Sequence, residues 1–147
     1  MKDWTGNGNS IYKTLGASNH TDIERAEHDY YATDPIAIDK LLTVEKPSHY
    51  IWECAGGDGH LAKRLIDEGF TVYATDIIER NYRLDGEIDF LKISNLDKSF
   101  DILTNPPYKY AKEFVLHALK LVSEGHKVYM FLKLTFLEGK SRYKDLF

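Results

Sequence analysis

Residues 49–76 read HYIWECAGGDGHLAKRLIDEGFTVYATD, and three successive patterns in that stretch decide the fold. Residues 49–54 form a short apolar run that leads directly into the cluster Gly56-Gly57-Asp58-Gly59. Leu61, Leu65 and Ile66 then recur at helical spacing until Gly69, a natural helix stop. Residues 70–75 are β-branched and aromatic and end on Asp76, the pattern of a second strand. Strands joined through a helix pair in parallel, which implies a doubly wound, mostly parallel α/β sheet. Ligands in that architecture bind outside the carboxyl ends of the strands, where the strand order reverses.

The alternation continues outward. Residues 87–91 (EIDFL), 100–103 (FDIL) and 127–134 (KVYMFLKL) are expected strands, and residues 111–122 an amphipathic helix closed by Ser123-Glu124-Gly125. Towards the amino terminus, Thr33 or Asp34 is expected to cap a helix with Pro35 in its first turn. Ile36, Ile38, Leu41 and Leu42 form its apolar face. Residues 21–31 suit a short charged helix, and residues 1–20, rich in Gly, Asn and Ser, an irregular stretch. The division is thus an arm over residues 1–30 and one domain over 31–147.

Composition narrows the classes. A chain of 147 residues suits one domain, and its single Cys excludes an intramolecular disulfide and a Cys-rich zinc site. Cys54, at the end of a strand, is read as an apolar filler. The six histidines show no metal-ligand spacing, so no metal is expected. No run of ~18 apolar residues or signal-peptide core occurs, so neither a membrane span nor secretion is expected, and the compartment is read as cytoplasmic. Net charge is −4, yet residues 101–147 carry 8 basic and 5 acidic side chains. The acidic remainder suits a cationic ligand, and the basic end, with Lys133, Lys140, Arg142 and Lys144, offers contacts for phosphate.

Gly57-x-Gly59-x-x-Ala62, with Asp76 seventeen residues after Gly59, also fits a dinucleotide fingerprint. Charge argues against that ligand, because Glu53 and Asp58 would oppose a pyrophosphate. S-adenosylmethionine carries a ribose, an adenine, a sulfonium and an ammonium but no phosphate, and acids beside the turn suit it better. Asp76 would take the ribose hydroxyls.

The second informative stretch is Asp101-Ile102-Leu103-Thr104-Asn105-Pro106-Pro107-Tyr108. Two prolines end the strand, remove two N–H donors and hold an extended turn that presents carbonyl acceptors between an amide and an aromatic ring.

With both motifs in one order, the chain resembles the class I S-adenosylmethionine-dependent amino-methyltransferases, most of all the adenine-N6 DNA methyltransferases that carry Asn-Pro-Pro-Tyr. The resemblance implies that the Asn105 side-chain oxygen and the Pro106 carbonyl accept hydrogen bonds from the target amine. Pro107 completes that turn, and Tyr108 would stack on the flipped base. It further implies that Tyr31, Thr33 and Pro35 belong to the upstream cofactor motif, interrupted here by Asp34. Residues 53–59 resemble the glycine motif, so Glu53, Ala55, Gly57 and Gly59 would contact the cofactor. Asp76 would hold the ribose, Ile77 would pack on the adenine, and Asp89-Phe90 would form the acid-plus-aromatic pair, with Asp89 accepting from the adenine amine. Asn105 would touch cofactor as well as substrate.

Two departures from the family qualify this. Only forty-five residues separate Gly59 from Asn105, leaving no room there for a target-recognition domain. Family members continue through further strands after the one expected to end near Leu134. The chain is therefore read as a fragment, or as a minimal form that borrows surface from a partner subunit or a second copy through an unfinished sheet edge. DNA is the expected substrate, ahead of RNA and of protein glutamine, whose methyltransferases share Asn-Pro-Pro-Tyr. About thirty residues precede the upstream motif, too few for the helical substrate domain typical of the glutamine enzymes. The remaining rivals are a non-catalytic S-adenosylmethionine-binding subunit and, last, an NAD-binding oxidoreductase.

Overall fold

The computed structural model describes residues 33–95 and 99–146. Five strands, β1 (Tyr50–Glu53), β2 (Thr71–Asp76), β3 (Gly86–Glu87), β4 (Asp101–Thr104) and β5 (Val128–Met130), form a sheet ordered β3-β2-β1-β4-β5. Every pairing is parallel. The helices are α1 (Ile36–Leu41), α2 (His60–Asp67), α3 (Ala111–Leu121) and α4 (Lys140–Leu146). Single 3₁₀ turns lie at Phe90–Lys92, Tyr108–Tyr110 and Leu134–Glu138. The expected α/β doubly wound sheet is therefore present. The sheet starts at the central strand β1, steps out to β3, and returns to lay β4 on the other side of β1. The order reverses between β1 and β4, whose carboxyl ends carry Glu53 and Thr104.

Both central strands are buried on both faces, as parallel strands under helices must be. Alternation sends Ile51 and Leu103 to one face, where they meet Ile38 of α1 and Leu61 and Leu65 of α2. Trp52 and Ile102 point to the other face and pack with Phe90, Phe100 and, from α3, Phe114 and Ala118. The Trp52 indole N–H donates to Thr75 Oγ1 at 2.9 Å, so this buried donor is satisfied. At the opposite end of the sheet from the crevice, buried Asp101 accepts from the Ser48 and Lys127 N–H groups at 2.8 and 3.0 Å and meets His126 Nδ1 at 2.9 Å.

Three local expectations need correction. The strand expected over 87–91 stops at Glu87, because Asp89 Oδ1 accepts the Leu91 N–H at 3.1 Å and caps a 3₁₀ turn. That turn drives the Phe90 ring into the core, 5.2 Å from Trp52 and 5.0 Å from Phe114 between ring centroids. The strand expected over 127–134 ends at Met130 and is half-buried throughout, since β4 is its one neighbour among the described strands. Before α1, neither Thr33 nor Asp34 is the N-cap: Pro35 takes that position with no side-chain cap, and Asp34 Oδ1, one residue earlier, accepts the Ile36 N–H at 3.0 Å. The arm over 1–30, the helix expected over 21–31 and Tyr31 lie outside the described residues. No helix among the described residues is long and apolar enough to cross a membrane.

Candidate functional site at the strand-order reversal

Glu53 closes β1 with a carboxyl group that is 1% exposed. Its Oε1 accepts the Ala55 N–H at 2.9 Å and the Thr104 hydroxyl, a bond that ties the ends of β1 and β4 together. Burial raises its pKa to about 8, and the Thr104 and Ala55 hydrogen bonds only partly offset this. Immediately after it the backbone turns through Gly57 and Gly59, both left-handed at φ +54° and +81°. The Gly57 N–H donates to Asp76 Oδ2 at 2.9 Å and the Ile77 N–H to Asp76 Oδ1 at 2.7 Å, with Arg80 Nη1 3.5 Å from Oδ2. Burial pushes the Asp76 carboxyl up and Arg80 opposes that shift.

The segment between β2 and β3 folds back over this turn. Asp58 Oδ1 accepts from the Asn81 backbone and side-chain N–H groups at 3.4 and 3.3 Å. The Tyr82 ring lies flush on Gly59, so close that a Cβ there would sit 2.3 Å from ring carbons. Gly59→Ala is therefore expected to cost about 1–2 kcal/mol from the left-handed backbone, and more from the displaced ring. Chemical denaturation checks this: adding Tyr82→Ala should recover the ring's share and leave the backbone share.

On the other side, the side-chain amide of Asn105, the first residue after β4, donates to Thr33 Oγ1. Asn105 bounds two cavities. The smaller, about 20 Å³, is shared with Thr33, Glu53, Ala55 and Gly56. The larger, about 420 Å³, is lined by Asn105, Pro106, Tyr108, Ala111 and residues 130–133. Lys133 Nζ stands 4.5 Å from the Tyr108 ring centroid.

Of the residues singled out in the sequence, Thr33, Glu53, Ala55 and Asn105 meet around the smaller cavity, and Pro106 and Tyr108 join Asn105 around the larger. Gly57, Gly59 and Asp76 form the adjoining turn. Others lie apart: Pro35 leads into α1, and Pro107 precedes the Tyr108–Tyr110 turn. Ile77 and Phe90 are each 1% exposed and pack in the core. Asp89 is half-buried, with its pKa raised to about 6 by burial against the Leu91 N–H and Lys92. The basic cluster divides, because Lys133 lines the larger cavity while Lys140 and Lys144 line a separate one near α4; the Arg142 side chain lies outside the described ones. Sequence reasoning missed Thr104, Arg80, Tyr82 and residues 130–132. A buried Thr before Asn105 was a usable signal for the first; nothing local marked the rest. Among the described residues no group of three or more His, Cys, Asp or Glu side chains is placed to hold a metal ion. No protein-family model matches the chain, and no curated protein matches it.

Proposed function

We propose that the chain is an S-adenosylmethionine-dependent N-methyltransferase acting in the cytoplasm on an exocyclic amino group, adenine N6 in DNA. The observation that carries this reading is the position of Asn105, which bounds both the cavity at the glycine turn and the aromatic-sided cavity beside it. Group transfer requires one wall common to donor and acceptor, and Asn105 is such a wall at the reversal of strand order.

The residues at the turn fit this cofactor in chemistry. Asp58 and Asp76 would repel a pyrophosphate and favour a cationic nucleoside, and Glu53, protonated at neutral pH, would ionise beside such a cation. The Asp76 carboxylate accepts two backbone N–H groups and keeps lone pairs for ribose hydroxyls. Volume sets a condition, since about 20 Å³ holds little more than one water. Entry of a nucleoside therefore requires the walls of this cavity to move apart.

When bound, the cofactor supplies an electrophilic methyl carbon. The chain's own work is positional. Thr33 holds the nitrogen end of the Asn105 amide, which turns its oxygen end into an acceptor of fixed direction. The Asn105 oxygen and the Pro106 carbonyl draw the hydrogens of the target amine, releasing its lone pair from ring conjugation. Tyr108 offers a ring face for stacking.

Calorimetry should show S-adenosylmethionine binding and no NAD binding; binding of NAD alone overturns the proposal. With methyl-labelled cofactor, counts are expected in adenine of unmethylated DNA. Counts in RNA or in a glutamine peptide instead would keep the transfer chemistry and reassign the substrate.

A further inference from the structure

Lys133 follows β5 at the rim of the larger cavity, its ammonium 4.5 Å from the centroid of the Tyr108 ring. Tyr108 is 38% exposed, so one face of an accessible aromatic ring already carries a cation. Asn105 and Pro106 line the same cavity with amide and carbonyl acceptors, and residues 130–132 add apolar lining. The set offers a flat, hydrogen-bonding ligand a ring face, acceptors and a positive charge.

A cation over an exposed ring is weakly held, because water and salt compete for it. A ligand that stacks on the same face displaces the ammonium. That exchange is favourable when the ligand brings an anion to receive it, because a lysine ammonium is a flexible point charge with three donors. A glutamine side chain is a neutral amide and brings none. A nucleotide carries a phosphate beside its base. Further basic charge follows the Leu134–Glu138 turn, where Lys140 and Lys144 line a separate cavity with one acid, Glu138.

Building on the methyl-transfer reading, we infer that Lys133 selects nucleic acid as the substrate class: its ammonium leaves the Tyr108 ring for a backbone phosphate as the base takes its place on the ring. Lys133 is thus a specificity residue at the acceptor side, with no part in holding the cofactor.

The test is fluorescence anisotropy of a dye-labelled, adenine-containing single-stranded oligodeoxynucleotide, titrated with the full chain across a range of salt. Lys133→Gln should bind roughly 3–10-fold more weakly at low salt, and its slope of log affinity against log salt should fall by about 0.7, the loss of one phosphate contact. Lys133→Arg should restore both. Lys120→Gln, which removes an exposed charge on α3, should stay within about twofold of wild type. Unchanged affinity and slope in Lys133→Gln overturn the inference and leave the methyl-transfer reading standing. A wild-type chain that binds a glutamine peptide and no oligonucleotide overturns it as well. Absence of S-adenosylmethionine binding in calorimetry overturns the methyl-transfer reading, whereas the salt slope alone decides the role of Lys133.

Discussion

Asn105→Ala should lower the rate of methyl transfer by about 10²–10³-fold while leaving S-adenosylmethionine affinity within about threefold of wild type. The asymmetry follows from what the side chain does. In the proposed reaction its amide oxygen acts on the acceptor amine, and only as that nitrogen begins to bond to carbon, so its loss would fall on the transition state. On the cofactor side, Asn105 is one wall among several, with Glu53, Ala55 and Gly56 also bounding the smaller cavity. Folding should suffer little, because the bond lost to Thr33 joins part-buried groups and is worth about 0.5–1.5 kcal/mol net. Single-turnover transfer of labelled methyl, paired with calorimetry, separates the two quantities. If binding and transfer are lost together, Asn105 serves to hold the cofactor, and the acceptor role is wrong.

Glu53→Gln should produce the largest change in stability, and one that depends on pH. The carboxyl titrates ordinarily at 4.5 and in the fold at about 8, because burial disfavours its ionised form. Between those values the folded chain keeps a proton that the unfolded chain has released, so stability falls as pH rises. The stabilisation tied to that proton is fully present below pH 4.5 and gone above about 8. At about 1.36 kcal/mol per unit, its loss is on the order of 5 kcal/mol. Glutamine preserves the shape and can still accept from Ala55 and Thr104, but it cannot ionise. The variant should match wild type near pH 4.5 and exceed it in denaturation midpoint above pH 8. A residual slope from Asp76, raised in the same sense by burial, is expected in both proteins. An identical pH profile in the two would show that Glu53 does not titrate in this range. The same electrostatics bear on function, because a cationic ligand beside Glu53 favours its ionised form and relieves the cost of burying it.

The parts of the site that were legible in the sequence share one property: each is encoded by neighbouring residues. Gly57 and Gly59 could be read because a left-handed turn between a strand and a helix restricts residue type at the turn itself. Asn105 through Tyr108 could be read because two prolines impose their geometry on their own segment. Phe90 was misread for the converse reason. The segment EIDFL alternates as a strand does, yet the free energy of burying its ring under α3 outweighs strand pairing, and Asp89 caps the turn that makes this possible. Tyr82 on Gly59 had no local signal at all; it depends on the loop between β2 and β3 returning over the strand ends.

The sequence by itself determined an alternating α/β chain, a glycine turn after its first strand, a proline-locked acceptor segment after the fourth, and the chemical types gathered at both. Tertiary structure alone decided which of these meet. Thr33 and Asn105 share a hydrogen bond across a separation of 72 residues, and Glu53 and Thr104 another across 51. Lys133 reaches the Tyr108 ring because β5 lies beside β4. The physical reason is the strand order: laying β4 against β1 brings two remote chain segments to one end of the sheet, and that choice is made by the burial of both faces of the central strands, which no short stretch of residues contains.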